Sequence, residues 1–200
     1  MPSSETSLTL PERPPVLRTE RLMLRPFSAN DAADVQRLAG DRDIAATAVR
    51  MPHPYDDGMA EAWIASHDEA WSEGVAVAIA IASRDGATLL GSTGFNFALE
   101  HAKAELGYWI GKPFWGHGYA TEAAREVVRW GFEDLGLFRI YAHCVKGNRA
   151  SARVLEKAGL VFEGSQRKDF VRFGQRLDID FYGALRTDPG PWMVSHPNAD

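Results

Sequence analysis

The chain has 200 residues, of which 45% are hydrophobic and 24% charged, a composition suited to one globular domain with a substantial core. At this length folding buries roughly 70% of the surface of the unfolded chain, so neither disulfides nor a structural metal is needed for stability, and the lone Cys144 has no intrachain partner. Twenty-two Lys and Arg against 27 Asp and Glu leave a formal charge of −5, without the basic footprint of most nucleic-acid binders. No run approaches the ~18 apolar residues of a membrane span, and Met1 to Val16 carries Pro, Ser, Glu and Thr where a secretory signal needs an apolar stretch. The expectation is a cytoplasmic protein, monomer or homodimer, with no nucleic-acid or membrane partner.

Residues 1–15 hold four prolines and no periodicity, and 187–200 are similarly rich in Pro, Asp and Asn, so both ends read as flexible tails around a single domain at 16–186. Leu17 to Phe27 alternates as an opening strand stopped by Pro26. Ser28-Ala-Asn-Asp31 then caps a helix through Val35 and Leu38 that ends near Gly40. A second helix runs from Asp57 to Ser72, with Trp63, His67 and Trp71 at i, i+4 and i+8. The intervening Arg50-Met-Pro-His-Pro-Tyr55 is too rich in proline to be helical.

Val75 to Ala82, Leu89 to Leu99 and Ala104 to Gly111 follow as strands with short links, an antiparallel meander. Ala120, Ala123, Ala124, Val127, Val128, Gly131, Phe132 and Leu135 then recur in steps of one, three and four, marking a long amphipathic helix closed by Gly136. Phe138 to Val145 is a strand, Asn148 caps a helix ending at Gly159, and two last strands meet at Gly174. The fold class is α/β with α+β character: a mostly antiparallel sheet with one parallel strand-helix-strand crossover and flanking helices.

The segment most informative about function is Trp109-Ile-Gly-Lys-Pro-Phe-Trp-Gly-His-Gly-Tyr-Ala-Thr-Glu122. Gly116 and Gly118 fall between a strand and the start of the long helix, where unpaired N–H groups and the helix dipole favour a phosphate or pyrophosphate. A dinucleotide fold would place a third glycine at Thr121 and an acid at the end of the next strand; Phe138 to Val145 has none. A Gly-Lys-Ser/Thr phosphate loop is also missing. Coenzyme A is the remaining identity, beside a plain tight turn that holds no anion.

The runs Glu105-Leu-Gly-Tyr-Trp-Ile-Gly111, Gly116-His-Gly-Tyr-Ala-Thr-Glu-Ala123 and Asn148-Arg-Ala-Ser-Ala-Arg-Val-Leu-Glu-Lys-Ala-Gly159 resemble the GNAT-type N-acetyltransferases, most closely their RimJ/RimL branch. The opening Leu17-Arg-Thr-Glu-Arg-Leu-Met-Leu-Arg-Pro26 is similar as well. The resemblance implies an acetyl-CoA-dependent N-acetyltransferase without metal. Its cofactor pyrophosphate would lie on the amides of Trp115, Gly116, His117, Gly118, Tyr119, Ala120 and Thr121. The pantetheine arm would pair with main chain at Trp109, Ile110 and Gly111 and hydrogen-bond Asn148. Trp115 stands where the family often has Gln or Arg, which bears on a side-chain role and leaves main-chain amides unaffected. The acceptor would be a primary amine, either a peptide N-terminus or a small amine.

Direct attack on a thioester needs a neutral amine and a proton for the departing thiolate. A free α-amine, with pKa about 7.7 to 8.0, needs less help from a base than lysine at about 10.4. Glu105, on the strand leading to the glycine turn, is the candidate base; an ion-paired strand carboxylate is the alternative. Glu100 and His101 are weaker. Ser151 shares a helix stripe with Val154, Leu155 and Ala158 and faces the sheet, and the resemblance implies that it protonates the thiolate; helix-start hydrogen bonding is the alternative. Tyr108 and Tyr141 are further acids. His143 and Cys144 are strand neighbours on opposite faces, so Cys144 reads as core. His67 reads as helix packing. Arg50 to Tyr55, the second helix and the hairpin around Arg167 to Gln175 are expected to form the acceptor groove. A module that binds acyl-CoA without catalysis is the alternative function.

Overall fold

The computed structural model describes residues 8–48 and 50–193. One eight-stranded sheet organises them. The first strand, β1 (Leu17–Arg18), turns back into β2 (Leu22–Pro26), and β3 (Ala76–Ser83), β4 (Leu89–Ala98) and β5 (Lys103–Ile110) continue the antiparallel run. β5 then pairs in parallel with β6 (Arg139–Val145). The hairpin of β7 (Val161–Arg172) and β8 (Gln175–Leu185) completes the order β1-β2-β3-β4-β5-β6-β8-β7.

Between β2 and β3 run α1 (Ala32–Ala39), α2 (Arg42–Thr47), α3 (Met59–Ala65) and α4 (His67–Ser72). The crossover from β5 to β6 is α5 (Tyr119–Glu133), and α6 (Arg149–Lys157) links β6 to β7. The expected stripe of α5 buries Ala123, Ala124, Val127, Val128 and Phe132 in one cluster with Phe95, Leu106 and Ile140 of the sheet. Gly131 permits this close approach, since a Cβ there would stand 2.8 Å from Ile140 and 2.9 Å from Phe95. A second cluster joins α1 and α3 to Ala80 of β3 and Leu89 of β4.

Several boundaries differ from the sequence reading. The opening strand is a small hairpin, because Thr19 N–H donates to Leu22 O and pairs Leu17 with Leu24. The second helix is divided at Ser66 into α3 and α4. The unanticipated α2 begins at Asp41, whose side chain accepts from Asp43 N–H. The described parts of both expected tails contact the core. Leu8 and Leu10 pack on the core, Pro11 O accepts from Trp71 Nε1, and Trp192 is buried against Phe132 with ring centroids 4.8 Å apart. Residues 1–7 and 194–200 of those expected tails lie outside the described residues.

Candidate active site

Parallel pairing between β5 and β6 lasts three residues, Lys103 to Glu105 against Arg139 to Tyr141. Beyond it β5 stays with β4 as far as Ile110, while β6 follows β8 to Val145, and the two strands part. Strand alternation decides which groups face this gap. Ala102 O accepts from Phe138 and Arg139 N–H on the β6 side, whereas Gly111 N–H donates to Leu90 O on the β4 side. The main-chain groups of Leu106, Tyr108 and Ile110 therefore turn toward the opening. Ile110 O is held there by Trp115 Nε1 at 2.6 Å.

On the α5 side of the sheet the gap opens into a cleft of about 440 Å³, lined by Tyr108, Trp109, Ile110, the turn at Trp115, Gly116 and Gly118 to Thr121, and Asn148, Ser151 and Val154 of the α6 start. The turn is built by Gly116 (φ 79°) and Gly118 (φ 81°), left-handed positions that suit glycine. The first backbone bond into α5 is from Glu122 N–H to Gly118 O, so the N–H groups from Gly116 to Thr121 have no partner among the described residues. Trp115 N–H donates to Lys112 O instead, which removes its amide from the set expected to hold an anion. By the same alternation the main chain of Trp109 faces β4 and not the gap, and Gly111 and His117 also depart from expectation. Gly111 N–H is bonded to β4, a Cβ there would meet Leu38 at 2.7 Å, and neither residue lines the cleft.

Arg21 fixes the turn from outside. Its Nη1 donates to His117 O at 2.9 Å, its Nε donates to Glu122 at 2.7 Å, and its guanidinium lies over the Tyr119 ring. Burial of Glu122 opposes ionisation, but hydrogen bonds from the Thr19 hydroxyl and from Arg21 outweigh it and hold the carboxyl below its usual range.

Ser151 sits at the start of α6, where its N–H donates to Asn148 Oδ1 at 3.1 Å, an N-cap. The helix-start reading of Ser151 is what this bond shows, and its hydroxyl is separately engaged across the gap, 2.8 Å from Tyr108 Oη. Tyr108 also donates to Ser151 O at 3.1 Å, and burial pushes its phenol well above the usual tyrosine range, so it stays protonated. Cys144 lies in the core with its thiol pushed up to about 11, mainly by burial. Tyr141 lies on the other face and does not join this pair; its phenol is raised by burial and by the Glu105 charge.

That other face holds a chamber of about 590 Å³ beneath α3 and α4, which meets the cleft at Tyr108, Trp109 and Ser151. Glu105 is buried at its floor, with Arg50 Nη2 donating to Oε2 at 2.7 Å and His143 Nδ1 lying 3.1 Å from Oε1. Burial would raise the Glu105 pKa, yet these two partners hold the carboxyl below the usual range. Glu105 is thus an ion-paired carboxylate, the alternative reading from the sequence, placed at the floor of the chamber. Glu100 and His101 are exposed on a connecting turn and contact each other, 3.6 Å apart.

Met51, Pro52, Tyr55 and Trp63 line the chamber as expected, and so does His67, whose ring meets Trp63 edge-on at 4.5 Å. The final hairpin reaches the same region differently. Arg172 Nε donates to Ala45 O and its Nη2 to Met51 O, both at 2.6 Å, strapping α2 and the following loop to β7. Arg50 lines the chamber as expected, but sequence reasoning missed Arg21 and the partnership of Arg50 and His143 with Glu105. The His143 pairing follows only from strand register, which sets Tyr141 opposite Glu105 and His143 two residues on, on the same face.

A sheet split between one parallel pair, with a glycine turn opening a helix at the cleft, defines an acyltransferase class of fold, and the comparisons agree. Residues 21–161 match the family model described as an acetyltransferase (GNAT) domain. The chain belongs to the GNAT family of N-acetyltransferases. An N-acetyltransferase of Bacillus subtilis (strain 168) named YoaA and described as uncharacterized is 31% identical over 173 residues, covering 86% of this chain and 97% of that one. Among solved structures, the RimL ribosomal L7/L12 alpha-N-protein acetyltransferase in complex with coenzyme A is similar in fold, with TM-score 0.78 at 16% identity, covering 85% and 97% of the two chains. The Vibrio cholerae spermidine N-acetyltransferase bound to CoA and spermine has TM-score 0.72 at 21% identity, covering 84% and 98%. No helix among the described residues is long and apolar enough to cross a membrane.

Proposed function

We propose that the chain transfers an acetyl group from acetyl-CoA to a primary amine, with a peptide α-amine as the acceptor that the sequence resemblance favours. The observation that carries this reading is the gap between β5 and β6. At one mouth it has unpartnered amides on a glycine turn, and at the other a buried carboxylate beside an imidazole. A pyrophosphate fits the amides of Gly116, Gly118, Tyr119, Ala120 and Thr121, where hydrogen bonds and the helix dipole act together. Main-chain groups of Tyr108 and Ile110 would pair with an extended amide-bearing arm, and the Asn148 side-chain nitrogen is left for the same arm once its oxygen caps α6.

Acetyl-CoA, when bound, supplies the acetyl thioester, whose carbonyl carbon forms the new C–N bond as its C–S bond breaks. The chain's own residues handle two protons. Glu105 stays ionised and orients His143 with its proton on Nδ1, leaving Nε2 to take the amine proton. Ser151 and Tyr108 stand at the junction of cleft and chamber, where their paired hydroxyls would protonate the departing thiolate. Holding the amine and thioester in one gap supplies much of the remaining rate through proximity. Calorimetry with acetyl-CoA and with ATP tests the binding half of this reading. Acetyl-CoA is expected to bind and ATP is not; selective ATP binding would refute the reading. A cytoplasmic location is part of the same proposal.

A further inference from the structure

The charge balance of the chamber bears on its acceptor, an inference that rests on the transferase reading. Among the described residues lining it, Arg50 and Glu105 are the charged side chains, and they neutralise each other across 2.7 Å. The walls above them are Met51, Tyr55, Met59 and Trp63. His67 adds no cation, because burial lowers its pKa from the usual histidine value. With Glu105 already paired to Arg50 and His143, one amine is accepted at the floor in its neutral form. A second, protonated amine on the same body would be desolvated against methionine and tryptophan with no counter-ion among the described residues that line the chamber, which is unfavourable.

We infer that the chamber selects a primary monoamine carried on an uncharged, apolar or aromatic body and rejects polyamines. The amine group reaches Glu105 and His143, and the body fills the space between Trp63, Tyr55 and the two methionines. The same chemistry is offered by a small arylalkylamine and by a peptide whose first side chain is large and apolar.

Release of thiol from acetyl-CoA is measured with 2-phenylethylamine, a Phe-initiated tetrapeptide, a Ser-initiated tetrapeptide and spermidine. The phenyl-bearing acceptors are expected to exceed spermidine and the Ser peptide in kcat/KM by about tenfold or more; the two phenyl arms separate a small-molecule source from a peptide one. Met59 is 36% exposed at the chamber, so a charge there is compatible with folding. Met59→Glu is expected to raise kcat/KM for spermidine and lower it for 2-phenylethylamine while leaving acetyl-CoA affinity unchanged. A native preference for spermidine, or a ratio that Met59→Glu does not move, overturns the acceptor inference alone. A chain that binds acetyl-CoA but acetylates none of the four overturns the transferase reading and the inference with it.

Discussion

Gly118→Ala isolates the work of the glycine turn. Gly118 holds φ at 81°, and an added Cβ would meet Arg21 Nη2 at 3.5 Å, an ordinary contact. The substitution therefore acts through the backbone, since a left-handed alanine costs about 1–2 kcal/mol. In the free protein the turn sheds this strain by rotating away from positive φ, which turns the Tyr119 and Ala120 amides aside. Binding must re-impose it, so acetyl-CoA affinity falls by the same free energy, about 5- to 30-fold. Gly174→Ala is the control, because Gly174 has φ 74° and open space around its Cβ position but lies in the β7–β8 turn. Calorimetry on both variants is expected to show a loss of affinity for the first alone. Equal affinities for Gly118→Ala and the native chain would show that the turn amides do not hold the cofactor.

Other perturbations separate the remaining parts. Arg21→Ala should change stability by less than about 1 kcal/mol, because the guanidinium is 44% exposed, yet weaken acetyl-CoA binding by freeing His117 O. Ser151→Ala is expected to lower kcat by about 10²-fold with acetyl-CoA affinity retained; unchanged turnover in steady-state assays would remove its acid role. Glu105→Gln and His143→Gln should each lower kcat, and the double variant no further, since the pair acts as a unit; additive losses would refute the pairing. Thermal unfolding across pH reads Glu105 independently. Its folded pKa lies below the unfolded value of about 4.3, so its contribution is complete above that pH and lost as pH falls through the folded pKa. Glu105→Gln should flatten that acid limb.

What was legible in the sequence follows from the range of the forces involved. The α5 stripe and its start at Gly118 are local, set by a 3.6-residue period and a backbone dihedral, and both stand where the pattern puts them. The Asn148 cap and the Ser151 placement are similarly local. The break of the opening strand at Thr19 was hidden because the alternation of apolar residues continues through the turn. The short α2 lies under an Arg172 strap contributed from far along the chain, and tertiary contacts of that kind leave no local signature. The same holds for the Arg50–Glu105–His143 cluster, which depends on strand register and on a loop crossing the sheet.

The measurement that tests the central claim most directly is amine-dependent thiol release from acetyl-CoA by the purified chain, with acetylated amine quantified in the same sample. The account predicts that thiol and acetylated amine appear in equal amounts and that Ser151→Ala suppresses both. Acetyl-CoA binding without amine-dependent thiol release would contradict it and leave a cofactor-binding module in place of an enzyme.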